Sequence, residues 1–202
     1  MNTPRRKPSL FAVLAVSAAT ALAAAASLER ASAAAALQDD GGFPMEKLLP
    51  EHKLIASWAG TWDVTSKWRM DPAAAWDESK GVETVEIACG GFWAVSKFSG
   101  TMMGQPMEGR SQTGYDSHKK KFVGTWIDNF GSYLTTMEGT YDEKTKTLVM
   151  LSDMFDPMTG ATMKVKLTTQ DVSADERVMR MHFPTPDGKE FVGMEMTSKR
   201  RK

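Results

Sequence analysis

The sequence predicts an all-β protein, a single antiparallel up-and-down β-barrel of about ten strands with a short N-terminal helix. One observation is the alternation of side chains from Thr61 onward, which puts Trp62 and Trp68 on the face that turns toward a core. A second is the recurrence of turn residues at the spacing of a strand and its turn. Because nearly every link is short enough for a hairpin, the meander would keep two long exposed edges unless it closed into a barrel.

The N-terminus has the layout of a secretory signal peptide. Residues 5–7 are basic, residues 10–28 form an uncharged run rich in alanine, and residues 31–33 read Ala-Ser-Ala, a small-residue cleavage site. We therefore expect residues 1–33 to be a signal peptide. The protein would be periplasmic or secreted after cleavage, with no stable insertion in the membrane.

Residues 34–42 are small and polar, and residues 34–45 are expected to form a flexible leader before a folded domain at residues 46–202. Cleavage after Ala33 would remove four of the 25 basic residues and one of the 25 acidic residues, which leaves a small negative charge. That charge argues against a nucleic-acid partner. The single cysteine, Cys89, can form no internal disulfide, and its alternation with Val85 and Ile87 predicts that it is buried.

The elements follow in order along the domain. A helix is expected over residues 46–58, with Leu48, His52, Ile55 and Trp58 on one face and Gly60 after its end. Gly90-Gly91 predicts a two-residue hairpin turn, and residues 100–106 predict a longer loop. The expected strands are residues 61–68, 82–89, 92–98, 107–115, 122–127, 133–141, 147–155, 162–169, 177–183 and 190–198.

Several of these stretches resemble a known family. Residues 60–62, Gly-Thr-Trp after a short helix, are similar to the Gly-x-Trp opening of lipocalin-like (calycin) barrels. Together with residues 90–95, residues 114–126 and the basic C-terminus, they resemble the bacterial family known as domain of unknown function 1579. The resemblance covers the chain from about His52 onward. It implies a calycin-type barrel with a central cavity, and it carries no catalytic residue onto this sequence.

Four functions remain open, and the first is a carrier that holds a small apolar or amphipathic molecule in the barrel. Aromatic side chains expected along the inner wall would bind it, although the same rings could simply form the core. Trp62 in particular is expected to plug the closed end. The candidate binding residues are Trp62, Trp68, Trp93, Trp126, Tyr133 and Phe191.

A second hypothesis is a soft-metal or haem site, because the chain is rich in methionine and thioether and imidazole ligands suit Cu(I). Met102, Met103 and Met107 lie close in sequence, and His182 follows Met181. Alternation, however, puts Met179, Met181 and Phe183 on the apolar face and His182 toward solvent. We therefore predict no metal ligands and no cofactor.

The third hypothesis is an enzyme that uses carboxylates facing the lumen. No phosphate loop, nucleophile elbow or metal-spaced cluster occurs in the sequence, so no catalytic residue is predicted. Glu86, Asp128, Asp153 and Glu195 are the acids inside strands, and the alternative is that they lie on the outer face beside lysines. A fourth hypothesis is an interaction module whose Met-rich loop, residues 101–107, is exposed. Nothing in the sequence indicates the oligomeric state.

Overall fold

The structure, a computed structural model, describes residues 45–156 and 159–202. The predicted signal peptide, residues 1–33, and all but the last residue of the predicted leader lie outside the described residues and stay predictions. Within the described chain, no helix is both long and apolar enough to cross a membrane.

Ten antiparallel strands form a closed barrel in which each strand pairs with its neighbours in sequence and the last strand pairs with the first. The predicted fold class is therefore confirmed. The closing pairs run from Trp62 opposite Arg200 to Trp68 opposite Met194. The strands are β1 Gly60–Trp68, β2 Asp77–Ala88, β3 Trp93–Met102, β4 Gln105–Asp116, β5 Lys121–Asp128, β6 Thr135–Asp142, β7 Thr147–Phe155, β8 Thr162–Ser173, β9 Glu176–Pro184 and β10 Glu190–Arg200.

One short helix, α1 (Pro50–Ala56), packs on β3 and β4 at the end of the barrel where β1 begins. It starts at a proline, whose missing N–H is not needed in the first turn. His52 is buried and links two elements, since its Nδ1 accepts a hydrogen bond from Leu49 N at 2.8 Å and its Nε2 lies 3.3 Å from Tyr115 O. The sequence overestimated this helix at both ends, and Leu48, predicted on the buried face, is 48% exposed.

The end of the barrel covered by α1, called the closed end below, is filled by a hydrophobic cluster centred on Trp62. The Trp62 side chain is 1% exposed and packs with Ile55, Trp58 and Phe122. Its Nε1 donates a hydrogen bond to Trp58 O at 2.9 Å. The opposite end, called the mouth below, is framed by the loops that follow β1, β3, β5, β7 and β9.

The turn between β2 and β3 differs from the prediction. Strand β2 ends at Ala88, and a 3₁₀ turn over Cys89–Gly91 precedes Phe92, so the turn holds four residues instead of two. The structure places Cys89 in this turn with positive φ, and its side chain is exposed. The prediction that Cys89 is buried was wrong, because the alternation it relied on stops one residue earlier.

Two other loops have different bounds in the structure from those predicted from the sequence. The loop predicted at residues 100–106 is a tight turn at Met103-Gly104, where both residues have positive φ, as a two-residue hairpin turn requires. The loop after β5 is longer than predicted, because β6 begins at Thr135 and not at Tyr133, so Tyr133 belongs to this loop.

Candidate ligand-binding cavity

The lumen contains a cavity of about 410 Å³. Its lining runs from Trp58, beside α1, to Phe130, Gly131 and Tyr133 in the mouth loop after β5. The volume lies in the range of pockets that hold a small organic ligand. The barrel is therefore not packed solid, and the space is reached from the mouth.

Thioether side chains make up much of the cavity wall. Because thioethers are flexible and polarisable, such a wall adapts its shape to an apolar molecule better than a wall of branched side chains. Methionines reach the cavity from β3, β4, β6, β7, β9 and β10, with phenylalanines and leucines between them. The methionines are Met102, Met107, Met137, Met150, Met154, Met179, Met181, Met194 and Met196.

A small polar belt crosses this wall on one side. Ser96 and Ser111 lie on adjacent strands and their Oγ atoms are 2.8 Å apart, so they satisfy each other. Thr113 and Thr125 also face the cavity. The belt can offer hydroxyl groups to a ligand without placing a charge in the middle of the lumen.

The charged floor, defined here as Glu83 and Arg177, lies at the closed end of the cavity and lines it. Arg177 Nη2 donates to Glu83 Oε2 at 2.9 Å, and the arginine is only 8% exposed. The guanidinium is 4.2 Å from the centroid of the Trp62 ring, and that of Arg200 is 4.1 Å from it. These stacking contacts fix the orientation of Arg177, since a cation over an aromatic face is held by the ring's charge distribution.

Beside the floor lies a second polar pair, Tyr141 and Asp171, whose hydroxyl and carboxyl oxygens are 3.5 Å apart. Burial raises the pKa of Asp171, while Arg177 opposes that shift. Burial and the Asp171 charge raise the pKa of Tyr141 to about 12. Tyr141 is therefore protonated at neutral pH and serves as a donor to Asp171.

Two residues that line this cavity have a buried indole N–H without a hydrogen bond of ordinary geometry. They belong to Trp58 and Trp68, and both nitrogens are buried. The Trp58 indole is close enough to Asp171 to help lower its pKa. Trp68 Nε1 has no hydrogen-bond acceptor in the described chain, and the Trp68 ring packs edge-on against Phe183, with centroids 6.0 Å apart.

The mouth is ordered around Trp126 and Asp128. Trp126 Nε1 donates to Asp128 Oδ2 at 2.8 Å, and the other carboxylate oxygen accepts from Phe130 N at 2.9 Å. The Trp126 ring lies so close to Gly109 that a Cβ there would come within 2.2 Å of it. Asp128 thus holds both the wall and the start of the mouth loop.

Exposed apolar side chains surround the mouth. Tyr133 and Phe155 lie together, with ring centroids 4.6 Å apart, and both line the cavity. Their neighbours on the adjoining loops are also largely exposed. These exposed side chains are Met70, Trp76, Met103, Phe130, Tyr133, Leu134 and Phe155.

Of the six aromatic residues predicted to bind a ligand, Trp68, Trp126 and Tyr133 line the cavity. Trp62 lies below the cavity, in the closed end, as expected for a plug. Trp93 lies on the outer face, where its ring covers Gly114, and Phe191 packs on Phe183 without being part of the cavity lining. Trp93 faces outward because the alternate residues of β3, Ala94, Ser96 and Phe98, are the ones that line the cavity.

Among the four acids considered for catalysis, Asp128 lines the cavity and the other three lie outside it. Glu86 is exposed, Asp153 pairs with Lys164 at 2.8 Å, and Glu195 pairs with Arg180 at 2.8 Å. This agrees with the alternative that outer-face acids sit beside basic residues.

The structure also shows where the residues considered for a soft-metal or haem site lie. His182 is on the outer face, as predicted, and its Nε2 is 3.1 Å from Thr168 Oγ1. In residues 45–156 and 159–202, no three His, Cys, Asp or Glu side chains are grouped as a metal site. The cavity lining in that part of the chain holds no histidine.

Sequence reasoning missed both residues of the charged floor. The signal was present, because Glu83 alternates with Val85 and Ile87, and Arg177 alternates with Met179 and Met181. Each charged residue thus lies on the apolar face of its own strand. A buried charge at such a position needs a partner, and each of the two supplies it for the other.

Solved structures with a similar fold support the barrel assignment. Rv2717c from M. tuberculosis is 10% identical and matches with a TM-score of 0.56 over 77% of this chain and 100% of that chain. The S-type phycobiliprotein lyase CPES from Guillardia theta is 11% identical and matches with a TM-score of 0.51 over 74% of this chain and 92% of that chain. At such identities the likeness concerns the fold alone. No curated protein matches the chain.

The family comparison agrees with the resemblance seen in the sequence. A family model described as "Protein of unknown function (DUF1579)" matches residues 47–200, which is nearly the whole of the folded domain. The chain belongs to the DUF1579 family.

Proposed function

We propose that this protein is exported and binds one small apolar or amphipathic molecule in its lumen without transforming it. The observation that carries the proposal is the cavity of about 410 Å³ with its thioether wall and its apolar mouth. A barrel that served only as a scaffold would gain stability by filling this space, since empty apolar volume is costly. The space is thus better explained by a guest.

Absence of a convergent catalytic group favours binding over turnover in this proposal. In the described chain, the charged groups that line the lumen are Glu83 and Arg177, which neutralise each other, and Asp128, which is engaged with Trp126. A general acid or base needs a free position beside the reacting atom. A guest recovered with its mass unchanged would agree with binding alone.

Native mass spectrometry of the purified mature protein, prepared without detergent, is the direct test. We expect an added mass that disappears on denaturation. The matched variants are Ser111→Phe, which fills the lumen, and Gln112→Phe, the next residue of β4, which points outward. Guest occupancy should fall about tenfold or more in the first and stay unchanged in the second. Equal occupancy in both folded variants would place the guest outside the lumen and refute the proposal.

Export has its own test. The mature chain isolated from the periplasm or medium should begin after Ala33, and replacing Ala31 and Ala33 by bulky residues should leave the uncleaved form inside the cell. A full-length chain recovered in the cytoplasm in both cases would refute export.

A further inference from the structure

A second, smaller hollow lies in the barrel wall near the mouth, beside the main cavity. Its volume is about 30 Å³, which is the space of one water molecule or one metal ion. Ser66 of β1 and Ser79 of β2 lie opposite each other at its back, and both side chains are too small to fill the wall. This hollow, with the two serines at its back, is called the mouth niche below.

Thioether side chains enclose the mouth niche from both sides. In the barrel, β10 lies next to β1 and β3 lies next to β2, so these strands flank the two serines. Strands β3, β4 and β10, and the turn between β3 and β4, all contribute methionines. Because the hollow is about one water molecule across and thioether side chains are flexible, sulfur atoms from both sides can reach one ion inside it. The five methionines are Met102, Met103, Met107, Met194 and Met196.

The other groups of the mouth niche suit a cation. Asp77, opposite Trp68 at the mouth end of the β1–β2 pair, lines the niche and forms no ion pair within the described residues. In that part of the chain, no lysine, arginine, histidine or cysteine lines the niche. A bound cation would therefore meet one carboxylate and no competing positive charge, and its ligands would be sulfur and oxygen atoms.

We propose that the mouth niche binds one Cu(I) ion, held by two or three of its thioethers, with the carboxylate of Asp77 balancing the charge. Thioether sulfur is a soft ligand that suits Cu(I), whereas Zn²⁺ and Cu(II) favour imidazole, which the niche lacks. Met102, Met103 and Met107, close together in sequence, thus meet in space with the methionines of β10, whereas His182 lies on the outer face. The inference goes beyond the proposed function and does not depend on a guest in the main cavity.

Ag(I) is the first probe, because it shares the preference of Cu(I) for thioethers and keeps its oxidation state in air. Every protein in the test carries Cys89→Ser, since the exposed thiol would bind the same ions. Titration of the mature protein in chloride-free buffer should give one Ag(I) per chain by native mass spectrometry. It should also quench part of the tryptophan fluorescence, because Trp68 and Trp126 line the niche.

Matched pairs of substitutions locate the ion. Met107→Leu with Met196→Leu removes a thioether from each side of the niche and nearly conserves the volume, so we expect the fold to be kept. This double variant should bind Ag(I) at least about tenfold more weakly. Met179→Leu with Met181→Leu is the control, because these two methionines line the main cavity and not the niche. The control should bind Ag(I) as the parent protein does.

X-ray absorption at the copper edge tests the same site without any change to the niche. The parent protein loaded with Cu(I) under reducing conditions should show sulfur atoms as nearest neighbours of the metal. A shell of nitrogen and oxygen atoms alone would overturn the proposal. So would a parent protein that binds no Ag(I), or an equal effect of the two double variants. None of these results affects the proposal of a guest in the main cavity, which is tested separately with Ser111→Phe.

Discussion

At the scale of single residues, Trp62 and Trp68 show how one side-chain type has two roles on one strand. Both face inward from β1, six residues apart. The Trp62 N–H is bonded to Trp58 O and its ring lies between two guanidinium groups. The Trp68 N–H lies in an apolar wall with no acceptor in the described chain. The first ring holds the fold together, and the second leaves its donor unpaired within the described residues.

This difference predicts unequal effects of the same substitution. Trp62→Phe loses a buried hydrogen bond and part of two cation–π contacts, so it should lower the free energy of unfolding by about 2–4 kcal/mol. Trp68→Phe removes an unsatisfied donor, which offsets its lost packing, and should change that free energy by less than about 1 kcal/mol. Urea denaturation of the guest-free proteins measures both. Equal losses would contradict the assignment of an unpaired donor to Trp68.

His182 is the residue whose titration should be visible in stability. Burial, followed by the charge of Lys166, lowers the pKa of His182 below its ordinary value of 6.5, with Arg180 acting in the same sense and Glu190 opposing. The unfolded chain therefore binds a proton more readily than the folded one in the interval between the two pKa values. The stability linked to His182 is full above the unfolded pKa and is lost as pH falls through the folded pKa.

We expect the free energy of unfolding to fall on acidification below about pH 6.5, and this part of the slope to disappear in His182→Gln. Urea titrations of both proteins between about pH 5 and about pH 8 measure the difference. Parallel curves for the two proteins would show that His182 does not contribute.

At the scale of elements, Gly139 sets how closely β6 can approach β7. A Cβ at this position would lie 1.8 Å from Val149 O and 2.7 Å from Met150 Cα, both of them backbone atoms of the paired strand. Backbone cannot rotate away as a side chain can. Gly139→Ala should therefore lower the free energy of unfolding by about 3 kcal/mol or more.

Gly124→Ala in β5 is the control for that substitution. The nearest atom to its Cβ would be Gln112 O at 3.2 Å, which a small local shift can relieve. We expect a loss of about 1 kcal/mol or less. Thermal or urea unfolding of the two variants should differ clearly, and similar stabilities would show that β6 can move relative to β7.

The elements also show what the sequence could predict and where it could not. Alternation in β1 predicted which of its side chains face inward, because a strand has a strict period of two and β1 runs without interruption. Alternation failed at Cys89 because β2 ends at Ala88 and Cys89 already belongs to the turn. Trp93 was assigned to the lumen because it is aromatic, and alternation alone would have placed it outside. The four-residue turn keeps the register that a two-residue turn at Gly90-Gly91 would give, and in that register Trp93 faces outward and Ala94 faces the lumen.

The existence of the cavity could be predicted from the sequence, but the charged groups that line it could not. The apolar faces of the strands predicted a lumen, and three of six aromatic residues assigned to it are there. Glu83 and Arg177 lie 94 residues apart, and no local pattern indicates that they meet. Their contact depends on the barrel closing, because β2 and β9 flank the β1–β10 pair that closes it.

At the scale of the whole molecule, the closure between β1 and β10 removes both edges of the sheet. A chain ending after Gly188 lacks β10 and leaves β1 and β9 each with an unpaired edge. Because exposed edges pair with other chains, this truncated protein should be oligomeric or aggregated. A chain ending after Arg200 is the control, since it loses mainly the exposed ion pair of Arg201 with Asp63, and should behave as the wild type. Light scattering after size-exclusion chromatography distinguishes them, and a monomeric truncated chain would contradict the role given to β10.

Arg200 lies at the end of β10, and its guanidinium reaches Ala59 O and Ser57 O, 141 and 143 residues earlier in the chain. Of the ten strands, β1 is synthesised first and β10, its second partner, is synthesised last. During synthesis, one edge of β1 therefore stays unpaired until β10 has been made. Contacts so distant in sequence form slowly, and unpaired strand edges are prone to wrong pairing while they wait. The order of synthesis thus makes the unfinished chain a natural client for chaperones, although the finished barrel has no edge to offer them.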